Sequence, residues 1–295
     1  MRRLSRREKI LLICFAVLIA VFAWDRARRI WSPKITIETD HYTIYSTATP
    51  DQTQKIGLVA EIQYAGYMKF LEQLMIAPLR HEKLKIKLFK DRKEFRLCNS
   101  DIGWMEAFYR KPYCYQYYSA ETVNPYHWMM HEATHQLNAE VAGWVLPQWI
   151  DEGIATYFGS SRIIENRLAL GEIDTNAYPI WWLYSIAQSG DLETDKVNTS
   201  IIPLRAIIAG QGGPNINEHF NLYYLHWWSL THFLMHYENG KYKPGLIALL
   251  KSDCGVRAFE FYVGNIDQIE RQWYEYVVEL KRAFSGRITL PPGVL

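Results

Sequence analysis

The chain has 295 residues, 49% hydrophobic and 22% charged, with a formal charge of +2, a composition that excludes a disordered or low-complexity chain. The small net charge hides an asymmetry: residues 1–34 carry nine Lys/Arg and two acids (+7), while residues 35–295 carry 24 Lys/Arg and 29 acids (−5). A mildly acidic main part argues against nucleic acid as its partner.

The first element is an uninterrupted apolar run from Ile10 to Trp24, preceded by Arg2, Arg3, Arg6, Arg7 and Lys9. Basic residues before such a run read as an export signal. Fifteen helical residues span about 22 Å against a hydrocarbon core of about 30 Å, so crossing a bilayer would need flanking residues or local thinning. The expectation is a single-pass signal anchor over residues 1–34. The heavier positive charge would keep the N-terminus in the cytoplasm and send residues 35–295 outside, in the periplasm or beyond the cell. Val21-Phe22-Ala23 has the small-residue spacing of a cleavage site, so a cleaved, secreted form is the alternative, and a buried hydrophobic helix the third reading.

"KITIETDHYTIYST" alternates β-branched or aromatic residues with polar ones and predicts one or two strands or a hairpin. Pro50 to Leu74 has helical spacing, Leu84 to Lys90 alternates again, and Asp91 opens a short helix. Glu106 to Ser119 is aromatic and strand-like, with a break at Lys111-Pro112. Asn124 as N-cap and Pro125 at the first helical position predict a helix that Gly143 stops. Leu146-Pro147 starts a second helix that runs to Gly159. After a loop-rich region come three more helical segments, near Asn217 to Tyr237, Tyr242 to Leu250 and Asp267 to Phe284. The expected architecture is an α+β domain, with a small sheet layer (residues 35–120) packed on a mainly helical part (residues 121–295).

The first predicted helix contains His131-Glu132-Ala133-Thr134-His135, the order H-E-x-x-H. Residues four apart lie about 40° apart around a helix, so His131 and His135 point the same way and can reach one ion. A catalytic zinc needs three protein ligands and a water. Glu152, 17 residues after His135, is placed to supply the third from the second helix. Glu132 is rotated by about 100° from His131 and lies beside the ion, where a general base belongs. The competing reading is two core histidines and an exposed carboxylate.

Met130 to Leu137 followed by Leu146 to Phe158, with its E-G-x-A run at Glu152 to Ala155, resembles the gluzincin metallopeptidases. More narrowly, the chain resembles poorly characterised bacterial members of the peptidase MA-like superfamily. Those also show a strand like "KIKLFKDRKEF", an aromatic strand like "AFYRKPYCYQY" and a late helix like Tyr224 to Leu234. The resemblance implies zincin-like active-site helices, Zn²⁺ held by His131, His135 and Glu152, Glu132 as catalytic base, and a peptide or protein substrate. It also implies Tyr224 as the donor to the oxyanion. Tyr223 and His226 are rivals, since adjacent tyrosines on one helix cannot both face the metal.

Other residues carry weaker signals. Asp151 reads as a solvated or capping acid, with orientation of a histidine as its functional alternative. "GWME" at Gly103 to Glu106 is similar to a substrate-binding strand of zinc aminopeptidases, which would give Glu106 a substrate amine, against an ordinary strand end. Among Cys98, Cys114 and Cys254 at most one bridge is allowed, Cys98 with Cys114 being the local pair, and three buried thiols are the alternative. His41, His81, His127, His219, His232 and His236 lack ligand spacing to the motif. Trp181-Trp182 and Trp227-Trp228 are read as core aromatics. The function expected is zinc-dependent peptide hydrolysis by a membrane-anchored enzyme. The alternatives are an inactive metal-binding scaffold and a cell-wall binding module.

Overall fold

A computed structural model describes residues 5–79, 82–103, 105–119, 125–284 and 286–288. Helix α1, Arg6–Arg28, contains the apolar run and leaves Ile13, Phe15, Leu18, Phe22 and Trp24 exposed. No helix among the described residues is long and apolar enough to cross a membrane. The single-pass anchor expected from the sequence, and the outward placement built on it, are therefore corrected. Charged residues close the apolar run after fifteen positions, too few for the thickness of a bilayer core.

Strands β1 (Ile35–Glu38) and β2 (Tyr42–Ser46) form an antiparallel hairpin. Helix α2, Pro50–Gln73, begins where Thr49 caps Gln52 and the Gln52 side chain returns the bond, with proline at the first turn. Strand β3 (Leu84–Phe89) lies parallel to β2, and α3 (Arg92–Cys98) starts at Asp91, whose carboxylate accepts the Glu94 amide hydrogen at 2.7 Å. Strand β4 (Phe108–Arg110) turns back through Pro112 into β5 (Tyr113–Tyr117), which pairs parallel to β3. The sheet order is β1-β2-β3-β5-β4, so β4 is a free edge. Alternation decides the faces: Tyr42, Ile44, Leu84, Ile86, Leu88 and Cys114 are buried under the helices.

Helix α4 is His127–Glu140 and α5 is Gln148–Gly159. The first starts two residues later than the sequence implied. Tyr126 takes the N-cap position without a side-chain bond, and the expected cap, Asn124, lies outside the described residues, as do His81 and Trp104. Gly143 sits at φ +68° in the loop that reverses the chain, a conformation cheap only for glycine.

The later part is not wholly helical. Strands β6 (Ser161–Ile164) and β7 (Arg167–Ile173) form a hairpin that the sequence reading missed. Its turn residues Glu165 and Asn166 both have positive φ, and an Asn flanked by two β-branched or leucine-rich runs was the available signal. Short helices α6 (Leu192–Val197) and α7 (Leu204–Ala209) precede α8 (Phe220–His236), α9 (Lys243–Leu249), α10 (Val256–Tyr262) and α11 (Ile266–Phe284). Trp181, Trp227 and Trp228 are buried, as expected of core aromatics.

Helix α8 packs closely on α5 because residue 153 is glycine. A Cβ there would stand 2.8 Å from the Trp227 carbonyl oxygen and against the Thr231 hydroxyl. Backbone cannot yield as a side chain does, so Gly153→Ala should destabilise the fold by about 1–3 kcal/mol. A thermal melt should fall by several degrees, and an unchanged melt would mean that α8 shifts freely.

Two histidines of α8 are locked in the neutral form. His226 is fully buried; its Nδ1–H donates to the Leu222 carbonyl at 2.7 Å and its Nε2 accepts the Ile202 amide hydrogen at 2.8 Å. Burial depresses its pKa to about 3 and that of His232 to about 4. In the unfolded chain both titrate near pH 6.5, so as pH falls the unfolded state takes up protons that the folded state refuses. Stability should therefore be full above about pH 6.5 and drop by about 2 kcal/mol per histidine at pH 5. Urea unfolding at pH 7 and pH 5 measures the slope, which should flatten in His226→Leu and in His232→Gln. Equal slopes in wild type and both variants would reject this account.

Candidate metal centre

Helices α4 and α5 cross with their polar faces turned to one point. A Cβ on Gly159 would meet the His127 carbonyl oxygen at 2.9 Å and the His131 Cβ at 3.2 Å, so glycine permits the approach that brings Glu152 to the histidines. His131 Nε2 and His135 Nε2 stand 3.2 Å apart, and Glu152 Oε2 lies 3.2 Å from the first and 3.6 Å from the second. Donors about 2.0–2.1 Å from a tetrahedral zinc are separated from each other by about 3.3–3.4 Å. The triangle thus has the size of one face of a zinc coordination tetrahedron.

The chemistry of the donors fits as well. Glu152 Oε2 is buried and makes no aligned hydrogen bond, although two ring nitrogens face it. In the tautomers that leave both Nε2 atoms without hydrogen, three acceptor atoms converge and repel one another unless a cation lies at their centre. Among the described residues, His131, His135 and Glu152 are the one His/Cys/Asp/Glu group with this geometry.

Asp151 is more than a capping acid. Its Oδ2 accepts from His135 Nδ1 at 2.9 Å, which fixes the tautomer that leaves Nε2 a lone pair for a metal. Its Oδ1 accepts from Asn138 Nδ2 at 2.7 Å, and Asn138 Oδ1 accepts the Tyr67 hydroxyl hydrogen at 2.7 Å. This chain ties the ligand to α2 through buried groups. Asn138→Leu, combined with Tyr67→Phe so that the tyrosine hydroxyl is not left without its acceptor, should weaken zinc binding about tenfold. Competition against a chromophoric chelator reads the change, and an unaltered affinity would limit the chain to a packing role.

Glu132 stands beside the triangle. Burial pushes its carboxyl up; His131 and His135 pull it down, and the balance stays above the ordinary carboxylate value. Its Oε2 accepts the backbone N–H of Tyr109 at 3.1 Å, so the free edge strand β4 holds the carboxylate in place. Tyr224 approaches from α8, its ring centre 6.1 Å from that of His131. Burial first, and then the charge of Glu152, keep its phenol protonated. The ring is wedged between Tyr178 at 5.3 Å, Phe220 at 5.0 Å and Trp227 at 5.0 Å.

The rivals point elsewhere. The Tyr223 hydroxyl donates to the Pro214 carbonyl at 2.8 Å, and His226 is enclosed in the core. Glu106 is not free for an amine: Arg92 holds it with two bonds of 2.6 and 2.7 Å, Arg96 with one of 2.7 Å, and the Tyr117 hydroxyl at 2.8 Å. Cys98 and Cys114 are both free thiols, because Cys114 lies under the helical face of the sheet and Cys98 packs in the smaller cluster around Phe95.

Residues 127–248 match a family model described as "Protein of unknown function (DUF1570)". The match starts at the first residue of α4 and ends in α9, so it contains His131, Glu132, His135, Glu152 and Tyr224 and leaves out the five-stranded sheet. No curated protein matches the chain.

Proposed function

We propose that this protein is a zinc hydrolase that cleaves peptide bonds. The observation that carries the reading is the triangle of His131 Nε2, His135 Nε2 and Glu152 Oε2, with donor separations of 3.2–3.6 Å, beside a buried carboxylate that belongs to none of its corners. The matched family's description assigns no activity, so the choice of reaction rests on the residues. H-E-x-x-H followed by Glu152-Gly153-Ile154-Ala155 on the next helix resembles the gluzincin metallopeptidases, which supports a peptide as the amide.

Zinc in this position would supply Lewis acidity for a carbonyl and lower the pKa of a water towards about 7. The chain's residues do the rest. Glu132, held by the Tyr109 amide, takes the proton of the attacking water and passes it to the leaving amine. The Tyr224 phenol, kept protonated, donates a hydrogen bond to the oxygen that becomes negative as the carbonyl is attacked. Asp151 holds His135 at a fixed angle throughout.

The test is hydrolysis of a diverse peptide mixture by the full chain, with mass-spectrometric readout, before chelation, after chelation and after zinc is restored. Cleavage that disappears and returns supports the reading. Zinc binding without any cleavage would leave a metal-binding scaffold, and turnover of small amides alone would move the substrate away from peptides.

A further inference from the structure

The sheet has a second face, on the side away from α4. Register places Tyr45, Lys87 and Tyr115 in one row across β2, β3 and β5, and Thr43, Lys85 and Tyr113 in the next, with Arg110 of β4 opposite Tyr113. At the C-terminal end of these strands α3 covers the face and buries Phe89, Phe95 and Phe108. The other end is open: Thr43, Tyr45, Lys85, Lys87, Tyr113 and Tyr115 all remain partly exposed and Arg110 is exposed. Strand β1 adds Thr36 opposite Tyr45 and Glu38 opposite Thr43 at the rim, and the middle of the face, on β3, β5 and β4, carries aromatic rings and long cations.

The cations here lack acids. Among the described residues no carboxylate pairs with Lys85, Lys87 or Arg110; the nearest rim acid in register, Glu38, is taken by Lys83 at 2.9 Å. Lys87 Nζ is instead held over rings, 4.3 Å from the centre of Tyr113, 4.9 Å from Tyr115 and 5.6 Å from Trp31. Cation–π contact fixes the charge without neutralising it, so a positioned positive charge faces outward among aromatic surfaces.

We propose that this face binds a carboxylate-bearing polysaccharide, with sugar rings lying on Tyr45 and Tyr113 and their carboxylates paired with Lys85, Lys87 and Arg110. Charge complementarity calls for an anion, and the flat rings choose its type. Strands β2, β3 and β5 each have a neighbour on both sides, so the face offers no free backbone groups to which a peptide could add as a strand. A tyrosine ring presents an apolar face and a hydroxyl rim, which match the C–H face and hydroxyl edge of a pyranose. The inference is independent of the metal centre, which lies on the opposite side of the sheet.

The experiment is titration calorimetry of the full chain with polymannuronate oligosaccharides at low and high salt. Neutral cello-oligosaccharides, poly-glutamate and oligo-deoxythymidine serve as comparisons. Polymannuronate should bind best and weaken with salt. Lys87→Gln with Arg110→Gln should reduce affinity about tenfold. Tyr113→Leu, which keeps the charges, should reduce it as well, and chelation of zinc should leave it unchanged. Absence of polymannuronate binding, equal binding by these variants, or tighter binding of the neutral sugar, poly-glutamate or the oligonucleotide would each overturn the proposal. Circular dichroism of both variants separates a lost site from a lost fold.

Discussion

Elemental analysis of the purified protein should find close to one zinc per chain, and Glu152→Ala should lose nearly all of it. His131 and His135 lie on one helix and offer two donors 3.2 Å apart; the third comes only from α5. Three-ligand and two-ligand sites differ by roughly one metal–ligand interaction, about 10²–10³ in affinity if the free energy of a structural zinc is shared evenly among its ligands. The Glu152 side chain is partly exposed and belongs to no apolar cluster, so truncation should spare the fold. Circular dichroism with an unchanged thermal midpoint in the metal-free form would separate lost coordination from unfolding. A native protein that stays metal-free when offered zinc would remove the ligand assignment and the hydrolase reading with it.

The larger effect on rate should come from Glu132→Gln. Glutamine keeps the shape and can still accept the Tyr109 amide hydrogen, yet it cannot take a proton. Zinc content should therefore stay at the wild-type level while peptide cleavage falls about 10²–10⁴-fold. Metal and rate read separately decide between roles. If zinc and cleavage fall together, Glu132 acts on the site's assembly; if neither moves, the carboxylate is a bystander and the proton leaves by another route.

The grouping of His131, His135 and Glu152 was legible because its signal is local: two histidines on one helical face need only the 3.6-residue period, and bringing Glu152 to them needs only a turn at Gly143. The sheet was legible for a similar reason, since "KITIETDHYTIYST" and "LKIKLF" alternate with the period of a strand. What stayed hidden depends on contacts distant in sequence. Asp151 could be read as a cap or as an orienting group until the fold placed it 2.9 Å from His135 Nδ1. Tyr223 and Tyr224 differ by one residue, and packing against Pro214 removes the first. The hairpin at Ser161–Ile173 was passed over because glycine and proline, the usual punctuation, are missing from its turn. The apolar run was misjudged in the opposite direction, its strong local signal outweighing a length that falls short.

The bond from the Tyr109 amide to Glu132 bears on how this molecule could be divided. Three more bonds join α4 to its surroundings: Gln136 Nε2 donates to the backbone oxygens of Lys85 at 3.3 Å and Pro112 at 3.1 Å, and Gln63 Nε2 donates to the Met130 carbonyl at 2.6 Å. All four fasten α4 to partners outside residues 127–248. A fragment cut to those borders would keep His131, His135 and Glu152 and lose the sheet edge and helix that hold Glu132 and α4 in place.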